Sequence, residues 1–165
     1  MTFLMPDEAT TPNQSGIPEL MSNGMSNTCL KQAVGFHLHT IRYPGIDSCI
    51  SITIGFETGM VGLHLFRMTM ENTLEEAVEQ LKSESSKCTG QITQILIAGN
   101  IEKWMSKCPF HNYSLSGDTS KNVQALLMEK FDVAGGLITT TQIRSDVEVM
   151  MQKGQLSAAN YETDD

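Results

Sequence analysis

No stretch of this chain approaches the roughly 18 apolar residues that a membrane-crossing helix requires, so membrane insertion is not expected. Basic residues are scarce. Eleven Lys and Arg stand against 19 Asp and Glu, for a net charge of −8. No basic stripe gathers them, which argues against nucleic acid or an anionic membrane as the main partner, since phosphate groups need a cationic surface. The four cysteines, Cys29, Cys49, Cys88 and Cys108, form no CxxC, so neither a disulfide framework nor a zinc finger is indicated. The opening Met-Thr-Phe-Leu-Met-Pro-Asp-Glu has neither the basic start nor the long apolar stretch of a secretory signal. A reducing cytoplasm is the expected compartment. No internal repeat is present.

What is there suffices for one domain. The chain has 165 residues, 40% of them hydrophobic, enough for a proper core. Its 11 methionines read as core filler. Residues 1–28 are rich in Ser, Thr, Asn, Pro and Gly without periodicity and read as a mobile polar tail. An uncleaved signal for a bacterial injection system is a sharper reading of the same composition. A single domain is expected over 29–160, with an acidic end at 161–165. A strand is predicted over Val34–Ile41, followed by a Tyr43-Pro44-Gly45 turn. Thr73-Leu-Glu-Glu76 resembles a capping box, and Leu74, Ala77, Val78 and Leu81 recur at helical spacing. Ile92–Ala98 is a nearly continuous apolar run, as in a central strand covered on both faces. Asp118 or Thr119 is expected to cap a second helix with Val123, Leu126, Leu127 and Phe131 on its apolar stripe. Gly135-Gly136 opens a strand through Thr141, and Asp146–Met151 turns at Lys153-Gly154 into a last one. This order predicts an α/β fold, layered around a mixed sheet.

The chemistry-bearing residues lie in a predicted hairpin. Ile50, Ile52 and Ile54 alternate with Cys49, Ser51 and Thr53, the period of a half-buried strand. Glu57-Thr58-Gly59 supplies the turn. On the return strand Val61, Leu63 and Leu65 share one face, and Met60, Gly62, His64 and Phe66 the other. A turn at Glu57-Thr58 sets His64 opposite Ser51 and makes it a diagonal neighbour of Cys49, about 7–8 Å away at the backbone. A thiol and an imidazole so placed form a candidate nucleophile–base dyad. Cysteine is often a small buried hydrophobe and a strand histidine often a structural group. Cys49, however, avoids the isoleucine face where a packing cysteine belongs.

The string of motifs resembles the chemoreceptor glutamine deamidase family CheD. The resemblance runs from about Val34 to Ala158 and lies in order and spacing. Asp47-Ser48-Cys49-Ile50-Ser51-Ile52 is similar to the family's Gly-Ser-Cys and strand. Gly62-Leu63-His64-Leu65-Phe66 resembles its histidine segment. Ala77–Leu81, then Ile97-Ala98-Gly99-Asn100, resemble its helix and Ala-Gly-Gly strand end. Lys121-Asn122-Val123 looks like its Arg-Asn-Val helix start, and Ile143–Val147 with Lys153–Leu156 its closing strand and turn. The same Cys–His core occurs in toxins of the cytotoxic necrotizing factor type. The resemblance implies an α-β-α sandwich with a mixed, largely antiparallel sheet, a cysteine nucleophile, a histidine base and a protein glutamine as substrate. The family orients its histidine with a threonine shortly before the cysteine. Here Tyr43 stands six residues before Cys49, and Thr40 is the nearest candidate for that role. Lys121 replaces an arginine and Asn100 a second glycine.

On this reading Cys49 and His64 are catalytic with Thr40. Backbone N–H groups of Ser48 and Cys49 would hold the oxyanion, and Tyr43, Asp47 and Ser51 would border the substrate, with loops 42–48 and 107–117 setting specificity. His111, in the second loop, reads as a surface residue. No metal or cofactor is required. The expected partner is a protein presenting a glutamine, either a chemoreceptor or a host regulator. A chemotaxis phosphatase is a second candidate partner, since the family binds one. Three rival readings stand beside this one: a binding module with slow or absent chemistry, a metal site at His37-Leu-His39, and an injected effector using the same chemistry on a host protein.

Overall fold

The structure, a computed structural model, describes residues 10–12, 18–20, 33–47, 49–65, 71–102 and 123–161. The described strands form two sheets. The larger has seven strands in the order β1-β2-β3-β6-β5-β7-β8, and the smaller has three, β10-β9-β4. Their ranges are β1 Thr10–Pro12, β2 Pro18–Leu20, β3 Ala33–His37, β4 Thr40–Ile46, β5 Ile50–Phe56, β6 Met60–Leu65, β7 Ile92–Gly99, β8 Ile138–Gln142, β9 Ser145–Gln152 and β10 Gln155–Asn160. The large sheet is mixed: β2–β3 and β7–β8 pair in parallel and its other neighbours antiparallel. Two α-helices, α1 (Glu71–Glu84) and α2 (Val123–Phe131), and two short 3-10 helices, Ser85–Lys87 and Gly135–Leu137, are also described, the second 3-10 helix standing where a strand was expected to open at Gly135-Gly136. None of the described helices is long and apolar enough to cross a membrane.

Side-chain alternation divides the core in two. Ile50, Ile52 and Ile54 of β5, Val61, Leu63 and Leu65 of β6, and Ile95 and Ile97 of β7 point to one face. There they meet Leu74, Ala77, Val78 and Leu81 of α1 and Val123, Leu126 and Leu127 of α2. These helix positions are the ones the 3.6-residue period selects. Glu75, Glu76, Glu79 and Lys82 are left to solvent. On the opposite face Met60, Leu96 and Ala98 pack with Cys49 against Ile41, Tyr43 and Ile46 of β4, Val147 and Val149 of β9, and Leu156 of β10. Burying each such Ile, Leu or Val contributes about 1.5–3 kcal/mol. The α/β class and the mixed, largely antiparallel sheet are as expected. Among the described residues both helices lie on one face, and the layer on the other is the three-stranded sheet, where an α-β-α order would set a helix.

The chain changes sheets between β3 and β4, where one continuous strand was predicted over 34–41. His37 Nδ1 accepts hydrogen bonds from the backbone N–H groups of His39 and Thr40, each 3.2 Å. This side-chain cap turns the chain at Leu38-His39 and releases β4 into the small sheet. The predicted turn at Tyr43-Pro44-Gly45 is instead a bulge inside β4. Tyr43 pairs with Val147 and Ile46 with Ser145, so one extra residue is accommodated. The Gly45 N–H donates to Asp146 Oδ1 at 2.9 Å. Pro44 is tolerated because β4 is an edge strand. The extra residue shifts strand parity, so Tyr43 and Ile46 both point inward. Of residues 1–28, read as a tail, 10–12 and 18–20 form β1 and β2, and Glu19 pairs with Val34 at the rim of the large sheet. The predicted cap at Asp118 or Thr119 lies outside the described residues.

Candidate functional site

The β5–β6 hairpin sets Ile50 opposite Leu65 and Ser51 opposite His64, the expected register. Cys49 precedes β5 by one residue and packs with Tyr43 and Ala98 in the inter-sheet core. Cys49 and His64 are therefore diagonal neighbours on the face away from the helices. The surroundings are dry: both residues, together with Ser51, Thr53 and Tyr43, have no solvent exposure. The buried hydroxyls are satisfied, as burial demands. Ser51 Oγ donates to the Ala98 carbonyl at 2.9 Å, and Tyr43 Oη and Thr53 Oγ1 share a hydrogen bond of 2.6 Å.

Tyr43 packs against His64. The two rings make an edge-to-face contact with centroids 5.9 Å apart at 81°, an attractive geometry for aromatic pairs. Gly62 makes the seat. A Cβ at residue 62 would lie 1.9 Å from Tyr43 Oη and 2.9 Å from its Cζ. The absent side chain thus opens a notch in β6 where the phenol reaches across to Thr53. Thr40, carried as the third site residue, lies elsewhere. It alternates with Ile41 on β4, so with Ile41 and Tyr43 inward it stands with Arg42 on the outer side. There Arg42 Nε pairs with Glu148 Oε2 at 2.8 Å and its guanidinium lies over the Tyr161 ring at 4.7 Å. The pairing of Thr40 with Met150 and of Arg42 with Glu148 on β9 gives that parity.

The residues read as bordering the substrate separate. Tyr43 and Ser51 are core residues, while Asp47 is exposed in the turn after β4. Ser48, His111 and loop 107–117 lie outside the described residues, as do Cys29 and Cys108. Cys88 is a free thiol packed on the helix side. Burial, then the nearby Glu84 carboxylate, pushes it up to about 11, so it stays protonated at neutral pH and makes a poor nucleophile. Burial, then the nearby His39, lowers the His37 pKa. With its Nδ1 accepting two amides, His37 serves the turn, and among the described residues no group of three or more His, Cys, Asp or Glu is arranged to hold a metal ion. Two open grooves, lined by residues such as Thr93, Gln94, Thr139 and Lys153, lie at the far end of β7 from Cys49.

Sequence reasoning did not single out Thr53 or Gly62 as site residues. Thr53 was legible as a member of the dyad's face, but the Gly62 notch depends on a residue from the other sheet. No protein-family model matches the chain, and no curated protein matches it.

Proposed function

We propose that this chain is a cysteine-dependent protein-glutamine deamidase of the CheD-like type. The observation that supports the reading is the placement of Cys49 and His64 on one face of adjacent strands, away from the isoleucine face. His64 takes the thiol proton, because an unassisted thiol is only a few per cent ionised near neutrality. The Cys49 thiolate attacks the glutamine side-chain carbonyl carbon. The tetrahedral oxyanion is held by backbone N–H donors at Cys49, each such donor contributing about 2.7–4 kcal/mol where measured. His64 returns its proton to the amide nitrogen, the C–N bond breaks and ammonia leaves. A water, deprotonated by His64, attacks the resulting thioester. The C–S bond breaks to give glutamate and the free thiol. With both residues fully buried, the glutamine must enter through a more open arrangement around Cys49. The substrate is a chemoreceptor in a cytoplasmic signalling role, or a host regulatory protein if the chain is delivered into another cell.

The test is ammonia release and amide-to-acid conversion on candidate substrate proteins. Cys49→Ser and His64→Ala are each expected to fall to background with unchanged circular dichroism. Substantial turnover by either purified variant sinks the assignment. A second reading, a CheD-like binding module without turnover and with a chemotaxis phosphatase as its candidate partner, is favoured by the complete burial of the dyad. Alkylation with limiting iodoacetamide separates the two. Cys49 labelled faster than Cys88, and slowed by His64→Ala, supports the enzyme. A Cys49 as inert as Cys88 supports the module.

A further inference from the structure

Asn100 and Gln142 grip the segment that carries Cys49, and we infer that both are positioning residues for its thiol. This rests on the deamidase reading. At the end of β7 the backbone N–H of Asn100 donates to the Cys49 carbonyl at 3.3 Å. Its side-chain Nδ2 donates to the Asp47 carbonyl at 3.0 Å. One residue thus holds two carbonyls that bracket the turn into β5. The peptide planes fixed in this way flank the plane whose N–H belongs to Cys49, the donor nearest the thiol for an oxyanion.

Asn100 is itself held. Its Oδ1 accepts from Gln142 Nε2 at 3.2 Å, and Gln142 Oε1 accepts from the Glu102 N–H at 2.9 Å. Each amide uses its nitrogen toward Cys49 and its oxygen away from it, so the chain of donors has one direction. Parallel pairing of β7 and β8 brings Gln142 beside Gly99, and the Ile143 N–H closes the corner on the Gly99 carbonyl at 3.0 Å. Gly99 permits the approach: a Cβ there would stand 2.6 Å from the Cys49 carbonyl oxygen. Neither amide side chain fills the core. Gln142 is exposed and Asn100 half-buried, so their hydrogen bonds add little packing, and their consequence is local geometry at Cys49. An aspartate at 100 would aim an acceptor at the Asp47 carbonyl and reverse the effect.

The experiment uses the full chain. Amide hydrogen exchange over residues 47–50 and the pH–rate profile of Cys49 alkylation by iodoacetamide are measured for wild type, Asn100→Ala, Asn100→Asp and Gln142→Glu. The last variant retains the acceptor for Glu102, turns the donor to Asn100 into an acceptor and adds a negative charge. Asn100→Ala is expected to speed exchange at 47–50 about two- to tenfold, the ratio one net hydrogen bond supports, with exchange at Ile52–Ile54 unchanged. The alkylation profile should move along the pH axis, with Gln142→Glu changing both readouts in the same direction by less. Wild-type exchange in Asn100→Ala overturns the clamp and leaves the deamidase reading standing. Faster exchange with an unmoved alkylation profile reduces the pair to a structural role and overturns the positioning role. A wild-type Cys49 as inert as Cys88 overturns the deamidase reading, and the positioning role with it.

Discussion

Gly62→Ala is the sharpest perturbation the packing offers. The new methyl would sit 1.9 Å from Tyr43 Oη and 3.1 Å from Ile41 Cδ1, far inside contact distance. Backbone pairing holds residue 62 between Gly35 on β3 and Thr53 on β5, so the phenol must move. Tyr43 is fully buried, and moving it by the missing distance breaks its 2.6 Å bond to Thr53. Overpacking costs about 1–3 kcal/mol, and leaving the buried hydroxyls unpaired costs about 1–3 kcal/mol more. The sum, about 2–6 kcal/mol, is a large share of the roughly 5–15 kcal/mol that holds a domain together. Tyr43→Phe should cost only the hydrogen-bond part, because the ring keeps its edge-on contact with His64. In the double variant the oxygen that clashes is absent, so its destabilisation should fall below the sum of the two single values. Urea unfolding followed by far-ultraviolet circular dichroism measures all three. A Gly62→Ala protein within about 0.5 kcal/mol of wild type, or strict additivity in the double variant, would refute the account of the notch.

Two further predictions concern pH. His37 has its pKa lowered in the folded chain, so the unfolded chain binds the proton more tightly. The stability its cap contributes is present above the ordinary value near 6.5 and is lost as pH falls through the folded value. Protection factors of the His39 and Thr40 amides, exchange rates corrected for the intrinsic pH dependence, should fall as pH drops below about 6.5, and protection that is independent of pH there would dismiss the cap. Cys88, raised to about 11, works in the opposite sense. Its contribution is complete below the ordinary thiol value of about 8.5 and is lost as pH rises through about 11. Cys88→Ala should therefore show a shallower alkaline fall in melting temperature than wild type, and identical slopes would refute the assignment.

Much of this architecture was legible from alternation alone. Ile50, Ile52 and Ile54 announced the face of β5, and the Glu57–Gly59 turn fixed the register that sets His64 opposite Ser51. Leu74, Ala77, Val78 and Leu81 announced α1. The period-2 and period-3.6 patterns report which side of an element meets the helices, but β5, expected half-buried, is buried along its whole length because the small sheet covers its other face. The same patterns are silent on what does the burying. Ile41 and Tyr43 read as the tail of one strand and the start of a turn. Their actual role, as the roof over Cys49 and His64, depends on a histidine side chain capping two amides and on one extra residue in β4. Neither device has a local sequence signature. Thr40 follows from the resemblance, which calls for a threonine shortly before the cysteine, and the pairing of β4 with β9 sets it on the outer side with Arg42 while Tyr43 points inward. Asn100 and Gln142 meet only because β7 and β8 run parallel, a pairing between residues 42 positions apart that no local pattern records.

The bulge at Pro44-Gly45 has a consequence for self-association. A sheet that ends in a regular strand offers a row of open donors and acceptors to any other extended chain. The β4 border of the small sheet is interrupted where the bulge falls. Pro44 has no N–H to offer, and the ladder loses its spacing between Tyr43 and Ile46. A strand arriving from another molecule would find pairing groups on both sides of the break and no single register that satisfies both. The device that turns Tyr43 and Ile46 inward toward the dyad thus also makes this border a poor template for polymerisation.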